Sequence, residues 1–419
     1  MAYKTTKDPQ FAGLSQYDPR ALFASLPTPA YVIDEKRLRA NGLVLSALAD
    51  RTGCRVLLAQ KAFSNYDFYP LLSQYLAGTE ASGLYEARLG REEMPGKEVH
   101  VFCGAYREDE FEELLQYADH IVFNSIRQLK AFGPRGRQAG RSLGLRVNPE
   151  RSTQEGHAIY DPCAPGSRMG VTRDVWDREM DGDTLSLLDG LHFHTLCEQN
   201  SDDLKTTLEA VEERFGDILP RMKWLNMGGG HHITRPDYDL DTLEGCIRHA
   251  QEKWNITVYL EPGEAVALNA GYFVSRVLDI VENSGTRIAI LDASAACHMP
   301  DVLEMPYQPP VLGADTETGE GHPFRLAGPT CLAGDVVGDY AFERELNVGD
   351  PVLFGDMAIY TTCKNNTFNG MPLPDIWRLD EAGNLAWLTR FGYEDFKMRL
   401  GSQTRPEQRP GQTANRKPC

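Results

Sequence analysis

The sequence predicts a (β/α)8 barrel followed by an all-β domain. Two patterns carry that expectation. Eight short runs, seven of them apolar, are spaced so that a helix fits between neighbours, and the texture changes after Asn269 to strand-like runs separated by Gly, Pro, Asn and Asp. The barrel runs are residues 55–59, 79–82, 99–103, 121–123, 143–147, 191–194, 224–227 and 257–260. The second is the least apolar and the weakest strand signal. Between them, stretches such as 109–117 and 202–214 set apolar residues at helical spacing. These elements place a barrel over residues 29–268. Beyond it, 272–280, 287–291, 351–354 and 385–388 read as strands of a second domain over 269–400, to which residues 1–28 contribute. Residues 401–419 are polar with Pro and Gln, and are expected to be disordered.

Composition narrows the function. The chain has 419 residues, enough for a large core, and carries 60 Asp and Glu against 43 Lys and Arg, a formal net charge of −17. Nucleic-acid phosphates would be repelled, so no nucleic-acid partner is expected, whereas a cationic substrate would be favoured. The first twenty residues are polar and lack the apolar core of a signal peptide. No apolar run approaches the roughly 20 residues that span a bilayer. The 9 cysteines are odd in number and scattered, with no C-x-x-C pair. A cytoplasmic protein with reduced thiols and no membrane association is the expectation.

The chemistry-bearing motifs follow the barrel order. Lys61 closes the first run (Ala59-Gln60-Lys61-Ala62-Phe63), so its amine emerges at the mouth of a strand, the face where barrel enzymes place their chemistry. His192 and His194 stand two apart on one strand and share a face. With Cys197, His231 and His232 near in barrel order, zinc is a rival reading, but no H-x-x-x-H or H-E-x-x-H helix spacing and no completing carboxylate motif supports it. His194 suits a flat ring stacked on a cofactor, with His192 in the core. Gly228-Gly229-Gly230 lets backbone N–H groups approach a phosphate. Glu261, in Glu261-Pro262-Gly263, ends the last barrel strand, where a buried carboxylate needs a cationic partner. A protonated pyridine nitrogen and the guanidinium of Arg146 are the two candidates. Cys331 follows Gly328-Pro329-Thr330, a turn able to present a thiol, and the Tyr360 hydroxyl suits either a phosphate or the core.

An amine for a Schiff base, an aromatic ring, phosphate-binding amides and a carboxylate, in this order, form the set that pyridoxal 5'-phosphate requires. The order resembles that of the fold-type III pyridoxal phosphate decarboxylases, which include the ornithine and diaminopimelate enzymes. Within that group the likeness is strongest to the branch acting on carboxynorspermidine and carboxyspermidine. It rests on Leu191-His192-Phe193-His194-Thr195-Leu196-Cys197-Glu198-Gln199, Glu261-Pro262-Gly263-Glu264-Ala265 and Asn369-Gly370-Met371-Pro372-Leu373-Pro374. The resemblance implies a homodimer with shared active sites, producing norspermidine or spermidine and CO2. It implies that Lys61 binds the cofactor, that His194 stacks on it, and that Gly228, Gly229, Gly230 and Tyr360 hold its phosphate. Glu261 then faces the pyridine nitrogen, and Cys331 of the partner protonates the product carbanion. Glu80 aligns with an acidic residue near the Schiff-base lysine.

Two positions depart from the group. Glu264 stands where relatives have a phosphate-binding arginine, which directs its carboxylate towards substrate, and Leu332 replaces the acidic residue after the thiol. Glu304 falls where the ornithine enzyme has a carboxylate for the substrate amine. The alternatives are decarboxylation of diaminopimelate or another basic amino acid, a non-catalytic regulatory homologue, and a zinc hydrolase. No metal is expected.

Overall fold

The computed structural model describes residues 9–154, 161–315 and 321–401, so the tail expected to be disordered lies, beyond Gly401, outside the described residues. The first strand, β1 (Ala30–Asp34), falls within the expected barrel span but pairs elsewhere. The barrel itself closes from the eight anticipated strands. They are β2 (Arg55–Ala59), β3 (Gly78–Ala81), β4 (Glu98–Phe102), β5 (His120–Phe123), β6 (Ser142–Arg146), β7 (Gly190–His192), β8 (Trp224–Asn226) and β9 (Thr257–Leu260), all parallel. The ring shuts where β9 meets β2, with Arg55 opposite Tyr259 and Val56 opposite Leu260.

Helices wrap the barrel as the spacing requires. They are α1 (Glu35–Thr52), α2 (Leu84–Glu93), α3 (Glu108–Tyr117), α4 (Ile126–Gln138), α5 (Ser201–Phe215) and α6 (Leu240–Trp254), joined by shorter turns. In α5 the buried Leu204, Leu208, Val211 and Phe215 form one stripe, so a single face enters the core. Side chains set the start points: Asp34 accepts the Arg37 N–H ahead of α1, Ser125 the Gln128 N–H ahead of α4, and Asp239 the Thr242 N–H ahead of α6.

Large rings fill one end of the barrel interior. Leu57, Val122, Trp224 and Tyr259 form a separate apolar cluster. Beside it His100 and His120 stack, with ring centroids 3.9 Å apart and planes 10° from parallel. Glu98, at the N-terminal edge of β4, accepts from both His100 and Arg55. This packed floor leaves the C-terminal mouth for chemistry.

The second domain is a nine-stranded sheet, completed by β10 (Gly271–Asn283), β11 (Thr286–Leu291), β12 (Ala314–Asp315), β13 (His322–Ala327), β14 (Val336–Phe342), β15 (Pro351–Phe354), β16 (Asp375–Leu379) and β17 (Leu385–Thr389). Its order is β12-β14-β13-β11-β10-β1-β16-β17, with β15 also on β10. β1 runs antiparallel to β10 and parallel to β16. It is buried on both faces: Tyr31 and Ile33 join the main core, while Val32 meets Tyr272, Val274 and Leu353 on the other side. A short run apolar on both faces cannot be assigned to barrel or sheet by periodicity, which is why it falls inside the expected barrel span.

Candidate active site

The turn after β2 carries Lys61 to the barrel mouth, where a cavity of about 890 Å³ opens. Its amine makes no hydrogen bond or ion pair among the described residues. The sheet domain braces this turn from above. Tyr360 N–H donates to Ala62 O (2.9 Å), the Thr362 hydroxyl to Asn65 Oδ1 (2.9 Å) and the Cys363 thiol to Lys61 O (3.0 Å). Tyr360 adopts left-handed backbone, φ 49°, and lines the cavity with Lys61.

Glu261, directly after β9, is buried, and both its oxygens accept hydrogen bonds. His192 Nε2 donates to Oε2 (3.1 Å) and Asn226 Nδ2 to Oε1. Burial alone would raise its pKa, but the contact with His192 and the charge of Lys61 outweigh burial and hold it below the ordinary carboxylate value. Burial lowers the pKa of His192 itself, so a neutral ring with its proton on Nε2 serves an ionised carboxylate. His192 is buried, as expected of a core residue, but it also holds Glu261, a role its position in the sequence does not reveal. Arg146, the other partner considered for Glu261, donates instead to the His194 carbonyl (3.0 Å) and lies over the Phe102 ring at 4.7 Å.

His194 lies on the cavity wall, and its Nδ1 accepts the Gly229 N–H at 3.1 Å. Burial first, then Lys61 and Arg146, push its pKa far down, so the ring is neutral. Glu80, on β3, also faces the cavity and is only 3 % exposed. Burial and the neighbouring Glu261 raise its pKa well above the carboxylate range, so it keeps a proton at neutral pH, and its Oε2 has no hydrogen-bond partner.

The three glycines divide their work. Gly228 N–H donates to Asn226 Oδ1 (2.9 Å) and Gly229 N–H to His194, so both are already engaged. Gly230 alone of the three lines the cavity, and its N–H has no partner among the described residues. It needs to be glycine: φ is +81°, and a Cβ there would stand 2.0 Å from Leu196 O.

The expected substrate carboxylates are placed differently. Glu264 does line the cavity, but its Oε2 is paired with His232 Nε2 at 2.9 Å, so its hydrogen-bond partner is the protein's own. Glu304 does not line it. It is exposed and held by Lys364 (2.7 Å), whose amine also pairs with Asp301. Asp301, Glu198 and Asp356 line the cavity instead; Glu198 lies in the Leu191–Gln199 motif, but nothing in the sequence marked any of the three for the substrate. Cys331 is exposed, on the turn after β13, and is not part of its own chain's cavity wall. Its N–H donates to Asn369 Oδ1 (2.9 Å).

His192, His194 and Glu261 bring ligand-capable atoms within 4.8 Å of one another, as do Glu98, His100 and His120. In the first group Nε2 of His192 and Nδ1 of His194 are already hydrogen bonded. In the second the stacked rings are nearly parallel, so no point lies in both ring planes where one ion could receive both lone pairs.

An unengaged lysine amine, a buried ionised carboxylate with two donors behind it, and a glycine whose N–H opens on the cavity are the groups that a pyridoxal-dependent class of barrel enzyme needs. A family model described as "Pyridoxal-dependent decarboxylase, C-terminal sheet domain" matches residues 30–358. The chain is 40% identical over 389 residues to the carboxynorspermidine/carboxyspermidine decarboxylase of Campylobacter jejuni, covering 90% of this chain and 99% of that one. It is also 40% identical over 379 residues to the carboxyaminopropylagmatine decarboxylase of Synechocystis, covering 90% and 96%. A crystal structure of the Campylobacter carboxynorspermidine decarboxylase complexed with norspermidine superposes with a TM-score of 0.81, over 89% of this chain and all of that one. The chain therefore belongs to the pyridoxal-dependent decarboxylases, in the family of the carboxynorspermidine/carboxyspermidine enzymes, and is a carboxy-lyase.

Proposed function

We propose that the protein decarboxylates carboxynorspermidine or carboxyspermidine with pyridoxal 5'-phosphate held at Lys61. The observation that carries this reading is the carboxyl-rich wall of the cavity: seven carboxyl groups line it against four lysines and arginines, beside the Lys61 site, and a carboxyl that holds a proton ionises when an ammonium arrives. A carboxylated triamine brings two ammonium groups beyond its amino-acid end, and each needs a carboxylate once removed from water. The residues fit the cofactor, since the Lys61 amine and the Gly230 N–H are free to bind it. When bound, pyridoxal phosphate supplies an electron sink for the bond broken at the α-carbon. Lys61 Nζ would anchor it, His194 would cover the ring, and Gly230 and Tyr360 would hold the phosphate end. Glu261, kept ionised by His192 and Asn226, would hold a proton on the pyridine nitrogen. Glu80, itself protonated, stands beside Lys61 as a proton reservoir.

Purified protein should release CO2 fastest from carboxynorspermidine or carboxyspermidine in a panel that includes carboxyaminopropylagmatine and diaminopimelate. Carboxyaminopropylagmatine is the second reading, on the strength of the Synechocystis relative. Preference for diaminopimelate would overturn both, because its distal carboxylate meets an acidic wall.

The proposal includes a homodimer in which Cys331 of the partner subunit returns the proton to the product. Its support is the exposed thiol beside the exposed apolar Leu332 and Phe368, away from its own cavity. Lys61→Ala and Cys331→Ala subunits should both be inactive alone. Mixed in equal amounts they should recover about a quarter of wild-type activity, since half of randomly paired dimers hold one intact site of two. No recovery after verified subunit exchange would exclude the shared site. A cytoplasmic setting is also proposed. All eight described cysteines are free, and no helix among the described residues is long and apolar enough to cross a membrane.

A further inference from the structure

Besides Glu80, Asp161 and Glu261, four carboxyl groups line the cavity: those of Glu198, Glu264, Asp301 and Asp356. Two are paired within the protein, Glu264 with His232 and Asp301 with Lys364. Glu198 and Asp356 have no cationic partner among the described residues. Asp356 Oδ1 accepts only the Asn269 N–H, at 2.6 Å. Both residues are held in left-handed backbone, φ 54° and 53°, a conformation that non-glycine residues keep only where the surroundings fix it. On the same wall His232 is 8 % exposed and its Nδ1 has no hydrogen-bond partner, so a buried polar atom is left for a ligand.

We propose that Glu198 and Asp356 are the specificity-determining carboxylates, each receiving one of the two ammonium groups that the substrate carries beyond its amino-acid end. The inference rests on the proposed function and assigns its amine subsites. A buried carboxylate without a cation is driven towards its protonated form, and both are shifted that way. Burial, then Glu264, raises the pKa of Glu198, with Asp301 adding and His232 and Arg235 opposing. Burial raises that of Asp356 to about 6, with Glu264 and Glu198 adding and the Asn269 N–H and His232 opposing. An arriving ammonium favours the ionised form, so binding should expel protons. Below about pH 6 the proton competes with the amine and affinity should fall, since the amine itself stays charged.

The test is calorimetric titration of the cofactor-loaded enzyme with norspermidine, at pH 8 and pH 6, in buffers of different ionisation enthalpy. Wild type, Glu198→Gln and Asp356→Asn would be compared with Glu282→Gln, which removes one unit of charge from an exposed site on β10. Each cavity variant should weaken norspermidine binding by about tenfold or more, as loss of a charged hydrogen bond implies. Proton release at pH 6 should shrink in Asp356→Asn, while the visible absorbance of the bound cofactor stays unchanged and Glu282→Gln behaves as wild type. Binding within twofold of wild type in either cavity variant, or loss of cofactor absorbance in either, overturns the assignment. If wild type turns over carboxynorspermidine and either of those results appears, the amine subsites alone are wrong. If wild type neither binds norspermidine nor turns over any carboxylated polyamine, the proposed function falls with them.

Discussion

Lys61→Ala should abolish turnover and the visible absorbance of bound cofactor together. The wild-type amine lies at the barrel mouth without a hydrogen bond or ion pair among the described residues, so it is free to react with an aldehyde. The alanine variant should fold, because the turn's carbonyls are held by the Tyr360 N–H and the Cys363 thiol rather than by the lysine side chain. Reconstitution with excess pyridoxal phosphate, followed by gel filtration and an absorbance scan, gives the answer. A visible band surviving in the variant would place the cofactor on another residue.

Glu261→Gln should lower kcat by about 10²–10³-fold with the cofactor still bound, in the range seen when one group that stabilises developing charge is removed. The glutamine can be accommodated. Its amide oxygen can accept from Asn226 while its NH2 faces His192, whose ring can move its proton to the unpartnered Nδ1 and accept through Nε2. The neutral side chain cannot hold a proton on the pyridine nitrogen, so less charge flows into the ring as CO2 leaves. A steady-state assay beside a thermal melt separates the two effects. Near-normal kcat would make Glu261 a structural partner of His192 and Asn226 only.

The barrel was legible because each of its strands is a short run with helical spacing before the next, and because Lys61, the glycines and Glu261 stand at strand ends. The sheet was only half legible. In β13 (His322–Ala327) and β16 (Asp375–Leu379), charged or half-exposed residues interrupt the apolar pattern, so neither announces itself. Side-chain pairing was the least legible layer. Sequence spacing shows that Glu264 and Glu304 could face substrate, but not that His232 and Lys364 reach them first. Nor could it distinguish Gly230, open to the cavity, from Gly228 and Gly229, whose N–H groups are engaged within the protein. Asn226 did leave a signal: a buried amide side chain closing an otherwise apolar strand must have a polar task.

β1 sits in the sheet between β10 and β16, so the sheet's interior joins a strand made almost first to one made almost last. At synthesis rates of about 5–20 residues per second, a ribosome takes roughly twenty seconds to a minute to go from Asp34 to Leu379. In that interval the eight barrel strands have all emerged, yet the Lys61 turn lacks the Tyr360 and Cys363 contacts that brace it. On the proposed function, a Lys61 turn that needs this brace would take up its coenzyme only in the last moments of translation or after release. A stop codon placed at Pro351 should therefore release a barrel that lacks the Tyr360 and Cys363 contacts and binds no pyridoxal phosphate.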